Sequence, residues 1–146
     1  MRALIVEEQR VLLLRKEGGR GGERFALPGG AQDTGETLEK ALQRECVEEI
    51  GTEVEIEALV HVADYFKRRD TLPLSHKHVV EFLFRCRVPA EYQPINGAAP
   101  DKNQVEVLWM PLSSLDRIAL YPRSLNSCLQ HLQSAAGGAI YLGLID

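Results

Sequence analysis

Basic charge, cysteine and long apolar runs are all scarce in this chain, and each scarcity excludes something. The 146 residues hold 17 Lys and Arg against 21 Asp and Glu, a formal net charge of −4. Broad binding to a phosphate backbone needs the opposite balance, with clustered cations. The three cysteines, Cys46, Cys86 and Cys128, are odd in number and far apart, so neither a disulfide framework nor a paired-cysteine zinc site is expected. They read as buried free thiols of a reducing compartment, which points to the cytoplasm. The strongest apolar run, Val11–Leu14, falls far short of the roughly 20 residues that cross a bilayer. The opening Met1-Arg2-Ala3-Leu4-Ile5-Val6-Glu7-Glu8 turns acidic before a leader's apolar core can form, so no secretory leader is expected.

What is present is globular. Hydrophobic residues make up 45% and charged residues 26%, values of an ordinary folded domain. The length fits a single domain over residues 1–146. A chain of this size buries roughly 68–70% of its unfolded surface and needs no disulfide or metal to fold. The negative charge is local. Between Gly30 and Thr52 lie six acids and two bases, and the remainder of the chain carries fifteen of each.

Apolar periodicity divides the chain into elements. Ala3–Val6 and Arg10–Arg15 read as a hairpin around Glu7-Glu8-Gln9. The glycine-rich stretch Glu17–Glu23 lacks the Gly-Lys-Ser/Thr of a phosphate-cradling loop and reads as a connector. Thr37 to Ile50 reads as a helix, with Thr37 as N-cap and Gly51 as the left-handed residue that ends it. Val54, Ile56, Ala58 and Val60 alternate with acids as a half-wet strand. Asp64–Lys77 reads as a polar loop, and Val80, Phe82, Phe84, Cys86 and Val88 share a face of a second strand. Pro89–Gln104 is loop and Val105–Met110 strand. Leu125, Cys128, Leu129 and Leu132 are spaced as an amphipathic closing helix. Ala139–Ile145 is a last apolar segment expected to pack on the domain or on a partner's sheet edge. The pattern predicts an α/β (α+β) fold with a mixed sheet.

The helix carries the chemistry. At 100° per residue Leu38, Leu42, Cys46 and Ile50 form its core stripe, while Glu45, Glu48 and Glu49 fall within about 100° of arc overlapping that stripe. Like charges three and four apart oppose a helix by a few tenths of a kcal/mol each, and by more when partly buried. A hard divalent cation such as Mg²⁺ or Mn²⁺ compensates such a cluster. Arg44 can pair with Glu48 at i+4 or with Glu36 in the incoming loop.

The spacing Gly30, five residues, Glu36, seven residues, Arg44-Glu45, two residues, Glu48-Glu49, one residue, Gly51 strongly resembles the box of the Nudix (MutT-type) hydrolases. Cys46 and Thr52 depart from its loosely hydrophobic positions, which concerns packing more than chemistry. A preceding hairpin, Leu27-Pro28-Gly29 and the downstream Trp109-Met110-Pro111 extend the resemblance over most of the chain. It implies an α/β/α sandwich and Mg²⁺-dependent hydrolysis of a nucleoside diphosphate linked to another group, with Mn²⁺ as a substitute. It also implies Gly30, Glu45, Glu48 and Glu49 as metal ligands and Arg44 as the residue that orients them. Glu45 is the first candidate for the base, with Glu106, Asp101 and Glu81 as alternatives. Arg24, Lys67 and Arg68 are candidate substrate-binding cations, and Tyr65 and Phe66 candidate stacking rings.

Markers of particular substrates are missing. The proline of many ADP-ribose hydrolases would fall near Lys67-Arg68 and is absent, as are the tyrosine of dinucleoside polyphosphate hydrolases and the coenzyme A signature in Val11–Gly18. His76 and His78 share a strand face without a third ligand, so no zinc site is expected. His61 and His131 read as surface residues. The expected partner is a small nucleotide, not RNA or a membrane, and a homodimer stays open. The alternative function is a nucleotide-sensing module that has kept the fold and lost turnover.

Overall fold

The computed structural model describes residues 1–18, 22–69, 75–123, 125–126, 129 and 140–145, with only the backbone of Arg68 and Arg69. β1 (Arg2–Glu7) and β2 (Arg10–Lys16) form the expected hairpin. Its turn residues, Glu8 and Gln9, both have positive φ, as a tight two-residue turn between twisted strands requires. β3 (Arg24–Ala26), β4 (Glu55–Arg69), β5 (Ser75–Arg87), β6 (Gln104–Pro111) and β7 (Tyr141–Ile145) complete a sheet of order β3-β2-β1-β5-β4-β7, with β6 also paired to β2. β1 pairs with β5, and β4 with β7, in parallel; the other pairs are antiparallel. The sheet is mixed, as expected.

The central strands are buried on both faces, which explains the unbroken run Val11–Leu14. Ala3, Ile5, Leu12 and Leu14 face the helix α1 (Leu38–Ile50) and pack on its Ala41, Leu42, Cys46 and Ile50. Leu4, Val11 and Leu13 face the other way, onto Leu115 of a 3₁₀ segment (Leu112–Arg117), Leu125 and Leu129. The closing helix expected around Leu125–Leu132, with Cys128 and His131, lies largely outside the described residues.

Thr37 caps α1 by accepting the Lys40 N–H at 3.2 Å, and Gly51 ends it in the left-handed conformation at φ 71°. The segment after β5 satisfies the helix's last carbonyls. Gly97 N–H and the Gln104 side chain donate to Glu49 O, Ala99 N–H donates to Glu48 O, and the Tyr92 hydroxyl donates to Ile50 O. Carbonyls that would be orphaned at a free helix end thus fasten residues 92–104 over it.

Two expectations change. Of the expected polar loop Asp64–Lys77, Asp64–Arg69 and Ser75–Lys77 are strand: they form the outer arms of the β4–β5 hairpin, paired from Asp64↔Val80 to Arg69↔Ser75, and residues 70–74 lie outside the described residues. Register shifts at Ile56/Ala58 and Leu59/His61 re-phase β4, so Ala58 turns to solvent while His61, Ala63 and Tyr65 turn inward. His61, expected at the surface, is therefore buried. The terminal apolar segment does pack on the domain's own sheet, as β7 against β4.

Candidate active site

Burying Leu42, Cys46 and Ile50 in the core turns the adjoining side of α1 toward a cavity of about 830 Å³. Glu45, Glu48 and Glu49 line it from the helix and Gly30 from the preceding loop. Glu49 is the most enclosed, at 2% exposure, and its Oε2 accepts the Gly29 N–H at 2.7 Å. Burial pushes its carboxyl up to about 7, against the pull of that hydrogen bond and of Lys16 and Arg2. Cys46 on the same helix is buried, and its thiol is pushed far up by desolvation. Burial raises Cys86 to about 12. Both are inert core thiols.

Arg44 organises the entrance. Its guanidinium grips Glu36 through Nε and Nη2 at 2.8 and 3.0 Å, and Nη2 also donates to Ala31 O at 3.1 Å. Nη1 reaches Glu45 at 3.2 Å and Glu48 at 3.4 Å. The paired Arg44 holds the Glu36 carboxyl down at about 2. One planar fork thus ties the loop 31–36 to α1 and sets two of the three helix carboxylates.

The donor set suits a hard cation. Its atoms are carboxylate oxygens and a main-chain carbonyl, the ligands divalent Mg²⁺ and Mn²⁺ prefer. A Cβ placed on Gly30 would land on the Glu45 carboxylate, so loop backbone and side chain share one cradle that only glycine leaves open. The Gly30 carbonyl accepts from the Met1 amino group at 2.9 Å, which uses one of its two lone pairs. Among the described residues no three His, Cys, Asp or Glu side chains converge on one ion-sized point. Glu45 and Glu48 lean on Arg44, and Glu49 on Gly29.

The remaining candidates separate. Lys67 lines the cavity from β4, and Glu81 and Asp101 line it as well. Glu106 does not: the β2–β6 register sets it opposite Arg15, whose Nε it meets at 2.6 Å on the sheet face turned away from α1. Arg24 is spent on Gly18 O at 3.2 Å, outside the cavity lining. The Arg68 side chain is outside the described residues. Tyr65 is inside the cavity wall, while Phe66 faces the opposite side of the hairpin and packs on His78 at 4.9 Å between ring centroids.

Sequence reasoning missed three residues, Arg2, Lys16 and Tyr121, and pointed to Lys77 only as one cation of the stretch His76-Lys77-His78. Arg2 lines the cavity and donates to Leu27 O at 3.3 Å, to Gly29 O, and to Glu81 at 3.5 Å. Buried Lys16 pairs with Asp101. It continues the Leu12/Leu14 face that α1 covers, a period-two signal that marks it as the inward lysine. Tyr121 lies edge-on to Tyr65, with centroids 5.7 Å apart and planes at 85°. Lys77 faces the cavity beside Lys67.

Comparison with known proteins bears on this geometry. The model of the NUDIX domain matches residues 1–129, and a search of curated proteins found no match. Among solved structures the chain is similar to a NUDIX hydrolase from Nitrosomonas europaea, at 18% identity and a TM-score of 0.71, over 91% of this chain and 86% of that one. It is also similar to an ADP-ribose pyrophosphatase from Streptococcus suis, at 22% identity and a TM-score of 0.61, over 99% and 96% of the two chains. A MutT NUDIX hydrolase from Burkholderia pseudomallei shares 27% identity at a TM-score of 0.58, over 77% of this chain and 81% of that one.

Proposed function

Because this chain belongs to the NUDIX family, we propose that it is a divalent-metal-dependent hydrolase of the pyrophosphate linkage in a nucleoside diphosphate joined to another group. The observation that carries the reading is one cavity with two walls. Glu45, Glu48, Glu49 and Gly30 stand on one, and Arg2, Lys67, Lys77 and Tyr121 elsewhere around it. Glu45, Glu48, Glu49 and the Gly30 carbonyl would hold Mg²⁺, or Mn²⁺ in its place. When bound, the cation supplies charge neutralisation of the pyrophosphate oxygens and activation of the attacking water.

The chain's own residues do the rest. Arg44 keeps Glu45 and Glu48 at the cavity mouth. Arg2 fixes the loop carrying Gly29 through its carbonyl contacts. Water attacks one phosphorus in line with the departing phosphate oxygen, and a carboxylate takes its proton, a contribution of roughly 10²–10⁴ in rate. Glu45 is our first choice for that base, with Glu81 and Asp101 also lining the cavity. Asp101 is the weaker of the two, because its ion pair with Lys16 holds its carboxyl below the ordinary range. Tyr121, 41% exposed and braced by Tyr65, offers a face on which a nucleobase can stack.

No helix among the described residues is long and apolar enough to cross a membrane. The inert free thiols Cys46 and Cys86 support a reducing, cytoplasmic setting. The test is an activity screen with Mg²⁺ or Mn²⁺ over nucleoside triphosphates, nucleotide sugars, ADP-ribose, dinucleotides and capped RNA, with products identified. Metal-dependent release of a nucleotide from a small substrate is expected. Tight nucleotide binding without cleavage of any substrate would instead favour a sensing module.

A further inference from the structure

The cavity-facing side of the β4–β5 hairpin carries three cross-strand pairs in order: Ala63/Glu81, Tyr65/Val79 and Lys67/Lys77. Glu81 marks the inner end, since it meets Arg2, which is bound in turn to the Gly29 carbonyl. The lysines stand four residues further out, about 13 Å along the strands. Like charges directly opposite one another oppose strand pairing, and no carboxylate among the described residues forms an ion pair with either lysine. Lys67 is in a worse position still. Desolvation lowers its pKa, and Arg2, Lys16 and Lys77 push it further down against the pull of Asp101. Two cations held face to face and turned into the cavity, with no ion-pair partner among the described residues, are a site waiting for an anion.

The inner cations and carboxylates already address a diphosphate. Arg2 lies at that end, and any divalent ion on Glu45, Glu48 and Glu49 would neutralise it further. The lysines stand two cross-strand pairs beyond the Glu81–Arg2 contact, so a diphosphate held at the inner end leaves them for a further anionic group. We propose that Lys67 and Lys77 form a second anion subsite that selects substrates bearing a further phosphoryl group beyond the cleaved linkage, over those whose diphosphate is esterified to an uncharged sugar. The inference rests on the pyrophosphohydrolase reading for the position of the cleaved bond, and it makes the β4–β5 hairpin the specificity element.

The test pairs binding with turnover. Binding is measured for the non-hydrolysable α,β-methylene analogues of a nucleoside triphosphate and a nucleoside diphosphate, in Mg²⁺, to wild type, K67M/K77M and K67R/K77R. Each charge-assisted contact contributes roughly a tenfold preference. Wild type and the arginine pair should therefore bind the triphosphate analogue at least 10-fold more tightly than the diphosphate analogue, and the methionine pair should bind both alike. Turnover compares kcat/KM for a nucleoside triphosphate and a nucleoside diphosphate hexose. K67M/K77M should lower the ratio of the first to the second about 100-fold. Equal losses on both substrates would place the lysines on the shared diphosphate and overturn the proposal, as would a wild type that binds the two analogues alike. A wild type that binds with the expected preference but cleaves neither substrate would overturn the hydrolase reading and leave the subsite standing. Matched melting temperatures of the methionine and arginine pairs exclude misfolding.

Discussion

Replacing Glu49 by Gln isolates the charge from the shape. Glutamine keeps an oxygen to accept the Gly29 N–H, now held at 2.7 Å, and fills the same space at a position 2% exposed. What disappears is a carboxylate whose pKa burial raises from 4.5 to about 7. Between those values the folded state holds more protons than the unfolded state, so without metal the wild type loses stability as pH rises through that window. At 1.36 kcal/mol per unit the loss reaches about 3 kcal/mol above pH 7. Glu49→Gln has no such slope. In EDTA at pH 8 it should exceed the wild type by up to about 3 kcal/mol, on the order of 10 °C in Tm, and the two should converge near pH 4.5. Mg²⁺ should then raise the Tm of the wild type and not that of the variant. Turnover of the variant should fall by more than the roughly 10–100-fold that loss of an outer-sphere partner costs. The assay is a set of thermal and urea melts across pH with and without metal, beside initial rates. A variant less stable than wild type at pH 8 in EDTA would refute the burial argument. Full turnover at limiting Mg²⁺ would refute the ligand assignment.

Three further outcomes are expected. Arg44→Lys keeps the charge but cannot grip Glu36 through two nitrogens and still reach Ala31 O, Glu45 and Glu48. Its rate should drop about 10-fold or more, with a higher Mg²⁺ requirement in a metal titration; an unchanged titration would reduce Arg44 to a surface ion-pair partner. Gly30→Ala places a Cβ on the Glu45 carboxylate, so Glu45 must move, and activity should fall far more than the melting temperature. Ending the chain before Ile140 removes β7 and bares the β4 edge that it covers from Val62 to Tyr65. At about 0.5–1.5 kcal/mol per net hydrogen bond the cost should be about 2–4 kcal/mol, with aggregation through the freed edge. Unaltered Tm and solubility would show the strand to be dispensable.

Local chemistry by itself determined a good part of this protein. Thr37 and Gly51 bracket α1 because capping depends on residues within one turn. The convergence of Glu45, Glu48 and Glu49 on one face is fixed by helical geometry alone. The β1–β2 hairpin and the burial of Cys46 are legible for the same reason. The inner halves of β4 and β5 were legible as strands, but their outer arms, Asp64–Arg69 and Ser75–Lys77, were not, because a polar, Lys/Arg-rich stretch carries little apolar alternation, and the register shifts at Ile56/Ala58 and Leu59/His61 hid the inward turn of His61. Glu106 looks as eligible as Glu81 in the sequence, yet pairing β6 with β2 sets it against Arg15, and pairing β5 with β4 puts Glu81 in the cavity. Arg2, Lys77 and Tyr121 come from three segments with no shared motif. Periodicity reports which side of its own element a residue occupies. Which element lies across from that side is settled by strand order, and strand order is fixed by burying both faces of β1 and β2 at once.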